Sequence, residues 1–381
     1  MKKILIVHNK YRFTGGEDIA VENEIKLLKL EYDIRLLSFQ NDSKNLVFTL
    51  LSFLTNRNYK SGKIFKNVLN EFNPDLVYVH NTWFKASLFI FNILEKMDIP
   101  VILKLHNFRY NCSRYLLKKN HINKNEFCTA CGMKNDGRIF NKYFQESFLK
   151  SIFLIRYGKL YFDVLRKNNL KILVLTNFHK IFLENLDIPE NKIKVFPNYL
   201  EALDKTNINN DKNFILYAGR VSEEKGVEEL IKQYLKLSEP IFSLKIAGEG
   251  PLLKSLMEKY KRENIEFLGE VSNEDIKTLI LSSMAVISPT RLLEGQPTLL
   301  CEASILGKAA IFPNSEGISE FFPKQTELSF KQYDYESLLS KLNMLKNKSL
   351  LDTESKNNKK FIEEKLNKEN LLNNFEKIIN E

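Results

Sequence analysis

Residues 285–312 read AVISPTRLLEGQPTLLCEASILGKAAIF. The run AVIS at 285–288 is short and apolar, which is typical of a strand buried on both faces. A loop containing Gly and Pro follows, and residues 298–306 then have the length and residue types of a helix. A second apolar run begins at Ala309. Strand, helix and strand in this order predict a βαβ unit of a parallel sheet.

Apolar runs of strand length alternate with helical patterns along the rest of the chain. We predict strands at residues 3–8, 76–80, 101–106, 171–176, 192–195, 213–218, 243–247, 265–268, 285–288 and 309–312. We predict helices at residues 17–29, 227–237, 252–261, 275–282 and 298–306, and a helical, charged tail from residue 337. This alternation indicates an α/β fold in which helices cover both faces of parallel sheets.

The alternation is interrupted by a polar stretch without periodicity after Phe196-Pro197-Asn198. We therefore predict two Rossmann-like, doubly wound parallel-sheet domains that face a central cleft. The first domain comprises residues 1–198, the linker 199–212, the second domain 213–365, and a C-terminal helix at 366–381 packs back on the first domain. Ligands of open parallel sheets bind beyond the carboxyl ends of the strands, so we expect the site in the cleft.

The composition excludes several classes of protein. Hydrophobic residues make up 44% and charged residues 27% of the 381 residues, which argues against a disordered or coiled-coil chain. Four Cys exclude a disulfide-stapled scaffold and suit a reducing compartment. The first apolar run is too short for a signal peptide, and no apolar stretch is long enough to span a membrane. We therefore expect a soluble, cytoplasmic protein.

The net charge of +10 is concentrated in the first half of the chain. Lys and Arg exceed Asp and Glu by 14 in residues 1–200, whereas the balance is −4 in residues 201–381. Residues 147–171 mix aromatic with basic side chains, and residues 45–60 add an apolar patch followed by basic residues. We expect an anionic membrane surface or phosphorylated lipid as partner, with peripheral attachment at the inner face of the plasma membrane. Ordinary core packing with solvated charges is the alternative.

Two carboxylates flank a candidate anion site in the opening stretch. Glu294 lies in a loop that closes at Gly295 and Pro297, and Pro is favoured in the first turn of a helix. The free backbone N–H groups of residues 298–300 can hold an anion, and Glu302 lies about one turn further along. Helix capping without a ligand is the alternative, because carboxylates are stabilised near helix N-termini.

These segments resemble a known enzyme family. EGQPTLLCEA at 294–303 resembles the E-x7-E signature of the GT-B retaining glycosyltransferases, specifically family 4, the glycosyl transferases group 1. Further resemblances to that family follow in its order: TGGE at 14–17, PDLVYVHN at 74–81, KLHN at 104–107, YAGRVSEEKG at 217–226, IAGEGP at 246–251, FLGEV at 267–271 and GISE at 317–320. The match covers most of residues 1–370.

The resemblance implies roles for the matching residues. Glu294 would stabilise positive charge at the anomeric carbon, and His106 would touch the donor sugar or the acceptor. Donor binding would involve Arg220, Lys225, Gly248, Gly250, Gly295, Gln296, Thr298, Leu299 and Glu302; of these, Arg220 and Lys225 would neutralise the departing diphosphate, and Glu302 would hold the ribose hydroxyls. Gly15, Gly16 and Glu17 would form an acceptor-side glycine loop. A structural role is the alternative for His106, and it is the favoured interpretation for His80.

The resemblance implies a retaining glycosyltransferase that needs no divalent metal. It would move a sugar from a nucleotide sugar to a lipid-linked or oligosaccharide acceptor in the assembly of capsule, O-antigen or a similar bacterial surface polysaccharide. Three alternatives stay open: another GT-B enzyme such as a nucleotide-sugar 2-epimerase, a non-catalytic homologue, and a basic nucleic-acid-binding protein. The last would need a basic surface interleaved with aromatic side chains, and no such module is visible, so we expect no nucleic-acid partner.

Three cysteines form a second constellation, Cys112, Cys128 and Cys131, with the spacing C-x15-C-x2-C. The three thiolates would hold zinc if a fourth ligand, such as His121, completed the set. Related members with this arrangement carry a further Cys downstream, but residues 140–147 contain none here. A reduced loop without metal is the favoured alternative, so we expect no cofactor.

Overall fold

A computed structural model of the chain describes residues 1–10, 16–40, 55, 57–83, 85–108, 110, 148–201, 213–238 and 241–381, with the backbone alone for 148–155. The chain divides into two compact units. Unit 1 contains Met1–Tyr199 and Lys368–Glu381, and unit 2 contains Leu200–Asn367.

Unit 1 is built on a parallel sheet of six described strands. They are β1 (Lys3–Lys10), β2 (Asp33–Gln40), β3 (Leu76–Asn81), β4 (Val101–Leu105), β5 (Leu170–Val174) and β6 (Ile193–Val195), in the order β2-β1-β3-β4-β5-β6. Its described helices are α1 (Gly16–Leu28), α2 (Tyr59–Phe72), α3 (Phe89–Lys96), α4 (Phe148–Leu165) and α5 (Asn177–Glu184). Because the strands are parallel, their carboxyl ends meet at one edge of the sheet.

Unit 2 repeats this architecture. Its described strands are β7 (Phe214–Ala218), β8 (Ser243–Ala247), β9 (Ile265–Gly269), β10 (Ala285–Ile287), β11 (Ala309–Asn314) and β12 (Ser329–Lys331), in the order β12-β11-β10-β7-β8-β9. Its described helices are α6 (Val227–Tyr234), α7 (Leu253–Lys259), α8 (Asn273–Ser282), α9 (Thr298–Ile305), α10 (Glu316–Ser319), α11 (Tyr335–Met344) and α12 (Lys348–Lys365). The predicted α/β class with two doubly wound parallel sheets is confirmed.

The last helix, α13 (Lys368–Asn380), packs on unit 1. The ring of Phe375 is fully buried and lies 5.4–5.6 Å, between ring centroids, from Tyr32, Tyr78 and Phe196. Burial of one aromatic side chain of this size stabilises by about 1.5–3 kcal/mol, so this contact ties the end of the chain to the first sheet. No described helix is both long and apolar enough to cross a bilayer.

Candidate functional site

Two loops at the carboxyl edge of the unit 2 sheet touch backbone to backbone. The amide of Gly219, after β7, donates to the carbonyl of Ala247 at 2.9 Å, and the amide of Val221 donates to the carbonyl of Glu249 at 2.8 Å. A Cβ built on Gly248 would lie only 2.0 Å from the carbonyl oxygen of Gly219. Glycine at 248 is therefore required for this close approach.

The same β7 loop also packs on the loop that follows β10. Gly226 has φ +70°, and a Cβ there would lie 2.2 Å from the carbonyl oxygen of Pro289. The amide of Arg291 donates to the carbonyl of Glu224 at 3.0 Å. The loops after β7, β8 and β10 thus form one connected surface, although they are far apart in sequence.

This surface brings Lys225 and Glu294 together. Lys225 Nζ lies 2.5 Å from Glu294 Oε1, and the hydroxyl of Thr290 donates to the same oxygen at 3.1 Å. The side chains of Lys225 and Glu294 are 29% and 24% exposed, so a ligand can still reach them. The pair places a cation and a carboxylate side by side at the carboxyl edge, where ligands of such sheets bind.

Helix α9 begins directly behind this pair without a side-chain cap. Its N-cap residue, Pro297, makes no capping hydrogen bond, and its first turn contains no acidic residue. Gly295 and Gln296 are buried in front of it, while Thr298 and Leu299 are half-buried. Because the first-turn N–H groups of a helix carry partial positive charge, this terminus is suited to an anion.

Glu302 lies one turn into α9 and is mostly shielded from solvent. Burial raises the pKa of its carboxyl from 4.5 to about 7, and the positive charge of Lys277 opposes this rise in part. A ligand that donates hydrogen bonds to this carboxyl would stabilise its ionised form.

Arg220 stands apart from the Lys225–Glu294 pair. Its side chain is exposed and makes no ion pair with any residue in the described ranges, while its carbonyl accepts a hydrogen bond from the buried hydroxyl of Tyr217 at 2.8 Å. The pKa of Tyr217 is raised by burial and by the charges of Glu294 and Glu224. The guanidinium is therefore available to a ligand that approaches the β7 loop.

Unit 1 carries a cluster of histidines at its own carboxyl edge. His8, His80 and His106 lie at the ends of the neighbouring strands β1, β3 and β4. The Nδ1 atom of His80 lies 3.0 Å from Nε2 of His106, with the two rings stacked at 24°. His8 Nε2 bonds to Asp18 Oδ1 at 2.8 Å. His106 is half-buried, whereas His8 and His80 are buried.

A buried ionic group lies close to these histidines. Lys104 Nζ is 2.6 Å from Glu24 Oε2, both side chains are fully buried, and the hydroxyl of Tyr78 donates to the other oxygen of Glu24. Burial lowers the pKa of His80 and of His106 well below 6.5, and the charge of Lys104 acts in the same direction. Both imidazoles are therefore neutral at physiological pH.

The remaining predicted site residues belong to the glycine loop and to the cysteine constellation. Gly16 begins α1 as an exposed residue and Glu17 follows it half-buried, while Gly15 lies outside the described residues. Cys112, Cys128 and Cys131 also lie outside them. Within the described ranges, no group of three or more His, Cys, Asp or Glu side chains is arranged to hold a metal ion.

One site residue was missed from the sequence. Thr290, whose hydroxyl bonds to Glu294, follows strand β10 within the segment Ser288-Pro289-Thr290. A hydroxyl residue directly after a buried strand is the signal that would have indicated it, because side chains at that point lie at the carboxyl edge of the sheet.

Comparison with known proteins places unit 2 in context. Residues 199–367 match the family model of the glycosyl transferases group 1, a range that agrees with unit 2 to within one residue. The O-antigen biosynthesis glycosyltransferase WbnH of Escherichia coli is 35% identical over 128 residues, which are 33% of this chain and 36% of WbnH. This match therefore spans about a third of the length of that relative. An uncharacterised glycosyltransferase of Methanocaldococcus jannaschii is 27% identical over 298 residues, covering 73% of this chain and 63% of that protein.

The architecture of the whole chain has a solved counterpart. HepE of Anabaena, crystallised with UDP and glucose, superimposes with a TM-score of 0.71 at 14% identity, covering 100% of both chains. The fold is GT-B. The predicted GT-B fold is thus confirmed, and unit 2 is the part of the chain that matches the group 1 family model.

Within this GT-B fold, Glu294 and the predicted donor residues other than Arg220 divide into two sets. The structure brings Lys225 and Glu294 into contact and places Gly295, Gln296, Thr298 and Leu299 at the start of the helix that carries Glu302. It places Gly248 and Gly250 against the β7 loop, where each supports the close approach of two backbones. The first set lies together around the start of α9, and the two glycines allow the loops after β7 and β8 to pack closely.

Proposed function

We propose that this GT-B protein is a retaining glycosyltransferase that transfers a sugar from a nucleotide sugar to a lipid-linked or oligosaccharide acceptor. The observation that carries the proposal is the Lys225–Glu294 pair in front of the uncapped helix α9, within the segment that matches the group 1 family. The similarity to WbnH supports a place in bacterial surface polysaccharide assembly.

The chemistry of donor cleavage needs positive charge at the leaving group and negative charge at the sugar. The bond between the anomeric carbon and the phosphate oxygen breaks, the acceptor hydroxyl bonds to that carbon, and its proton passes to the leaving phosphate. Lys225, Arg220 and the first-turn N–H groups of α9 supply positive charge to the diphosphate. Glu294 stabilises the oxocarbenium-like carbon. Because these groups already neutralise the diphosphate, we propose that transfer needs no divalent metal.

The nucleoside end of the donor is assigned to Glu302. Ribose hydroxyls donate hydrogen bonds to a carboxylate, and such bonds lower the pKa of a carboxyl that burial has raised to about 7. Binding of the nucleotide at neutral pH would therefore release a proton from part of the Glu302 population. The same contact explains why an otherwise unfavourable buried carboxyl occupies this position.

Unit 1 is proposed to receive the acceptor. Its histidine cluster lies at the carboxyl edge of the sheet, and His106 is half-buried. The excess of basic residues in the first half of the chain suits an acceptor that carries a diphosphate at an anionic membrane surface. We therefore propose peripheral attachment to the inner face of the membrane during transfer.

A thermal-shift panel tests the donor site. UDP-, GDP-, dTDP- and CMP-sugars are each compared with the free nucleotide, because a ligand that binds only the folded protein stabilises it by about 2.7 kcal/mol at a concentration of 100 times Kd. We expect one nucleotide family to raise the unfolding midpoint, and Lys225→Ala to reduce that rise. The absence of a shift with every nucleotide, or an equal shift in Lys225→Ala, would contradict the proposed site.

A further inference from the structure

The buried histidine His80 holds a specific position relative to His106. Its Nδ1 atom faces Nε2 of His106 at 3.0 Å, across a sequence separation of 26 residues. Its other nitrogen, Nε2, is buried and has no hydrogen-bond partner among the described residues. His80 therefore makes one side-chain hydrogen bond in the described structure, and that bond is to His106.

This geometry decides which nitrogen carries each proton. Both rings are neutral, so each has one N–H donor and one lone-pair acceptor. If His106 donated from Nε2, the proton of His80 would sit on its own Nε2, as a buried N–H group without an acceptor. If His80 donates from Nδ1, only a lone pair is left without a partner. Orphaned buried N–H groups are rarer than under-satisfied acceptors, so the second arrangement is favoured.

The charged groups around the pair keep both imidazoles neutral, as this choice of tautomer requires. The groups that face the pair are the ammonium of Lys104, the imidazoles of His8 and His179, and the ring of Tyr78. None of these is an anion that would stabilise an imidazolium at His80 or His106. Glu24 and Asp18, the neighbouring carboxylates, are occupied by Lys104 and His8 respectively.

We propose that His80 is a positioning residue that fixes the orientation and tautomer of His106. It donates its Nδ1–H to His106 Nε2, so that His106 carries its proton on Nδ1. That leaves His106 with an N–H donor for a ligand at the carboxyl edge of the unit 1 sheet, and with no free lone pair to act as a base. His106 therefore donates a hydrogen bond to an oxygen of a sugar or phosphate rather than removing a proton.

This role rests on the proposed function, but its first test needs no substrate. The chain has five His, so protein labelled with ¹⁵N-histidine gives a sparse ring spectrum, and His106→Gln assigns the His106 signals. Long-range ¹H–¹⁵N correlation shows which ring nitrogen carries hydrogen. We expect His106 protonated on Nδ1 and bare at Nε2. A proton on Nε2 of His106 in the wild-type protein would overturn the proposal.

Substitution of His80 separates positioning from packing. In His80→Asn the side-chain amide nitrogen takes roughly the place of Nδ1 and keeps the donor, whereas His80→Leu removes it. We expect the Asn variant to retain the His106 tautomer and the Leu variant to lose it. His179→Asn is the matched control, because that buried imidazole pairs with the hydroxyl of Tyr110 at 3.1 Å and should leave the tautomer unchanged.

Kinetics then connect the tautomer to transfer. We expect His80→Leu to lower kcat on the order of tenfold to a hundredfold, because reactive groups are sensitive to small misplacements, and His80→Asn to restore most of it. Equal losses in both variants, or no loss in His80→Leu after the tautomer has changed, would overturn the positioning role. Because the tautomer is measured without any donor, a protein that lacks transferase activity would refute the proposed function and leave the spectroscopic result standing.

Discussion

Replacement of Glu302 by Gln removes the ionisable group that burial perturbs most clearly in the donor site. The carboxyl has a pKa of about 7 in the folded protein, against 4.5 in an exposed reference. Ionisation is therefore easier in the unfolded chain than in the folded one. The stability that this group provides is complete below pH 4.5 and is lost as the pH rises through about 7.

The size of the effect follows from the two pKa values. Since one pKa unit corresponds to about 1.36 kcal/mol, the full loss is about 3 kcal/mol. Because both titrations contribute, about 2 kcal/mol of it falls between about pH 5.5 and about pH 8.5. Glu302→Gln has no carboxyl to ionise, so it should gain about 2 kcal/mol relative to the wild type over that range.

Hydrogen exchange measures this difference within unit 2. The slowly exchanging amides of β10 and β11, corrected for intrinsic exchange at each pH, report the free energy of opening. Peptides of β3 and β4 in unit 1 serve as an internal control. Glu258→Gln is the matched variant, because Glu258 is an exposed residue of helix α7 in the same unit.

The sign of this pH dependence can be tested as well as its size. The difference between Glu302→Gln and the wild type must grow with pH, and Glu258→Gln must show no such growth. A difference that is constant with pH, or that shrinks as the pH rises, would refute the argument that burial holds the pKa of Glu302 near 7.

Three further variants test other parts of the structure. Lys225→Ala should weaken nucleotide-sugar binding on the order of tenfold in calorimetry, because it removes a charge-assisted hydrogen bond. Lys236→Ala breaks an exposed ion pair of the same unit and should not weaken binding, so equal losses in the two variants would contradict the site. Gly248→Ala should destabilise unit 2 by several times the roughly 1 kcal/mol expected for Gly307→Ala, because Gly307 also has a positive φ but has open space around it. Similar thermal midpoints for the two variants would refute the close contact between the loops. Lys104→Met leaves a buried carboxylate unpaired and should cost unit 1 about 3–5 kcal/mol in urea unfolding; a loss below about 1 kcal/mol would show that the pair is not buried as described.

Urea unfolding of unit 1 can be followed by a natural probe. Trp83 is the only Trp of the chain, and its ring lies 4.5 Å from that of Tyr157 in a T-shaped contact. Its fluorescence therefore reports unit 1 separately from unit 2. The two units can be monitored in one sample by combining it with hydrogen exchange.

The sequence predicted best those strands that are buried on both faces. Strand β3 is buried at each of its residues, and its continuous apolar run leaves little ambiguity. Strand β8 has the predicted bounds although Lys245 interrupts its apolar residues. Strand β2 was missed, since this edge strand is largely exposed or half-buried and lacks such a run. Strand β12 was missed because three residues carry no readable pattern.

The site was predictable only in part, for a physical reason. Motif spacing indicated the loops that carry Lys225 and Glu294, but only the tertiary fold shows that these side chains form a pair. The bond from Thr290 and the contact of Gly248 with Gly219 depend in the same way on how loops pack. Likewise, a structural role was the favoured prediction for His80, because nothing local reveals its contact with His106, which follows the neighbouring strand β4.

The most direct test of donor cleavage by this protein is ¹H NMR of nucleotide sugars incubated with it, with no acceptor and no divalent metal added. We expect that one donor is consumed and releases its nucleoside diphosphate, and that the first sugar formed keeps the anomeric configuration of the donor. We expect Glu294→Gln to stop the reaction with the fold intact. Consumption at the same rate by Glu294→Gln, release of the inverted anomer, or return of an epimerised sugar still linked to the nucleotide would contradict the proposed function.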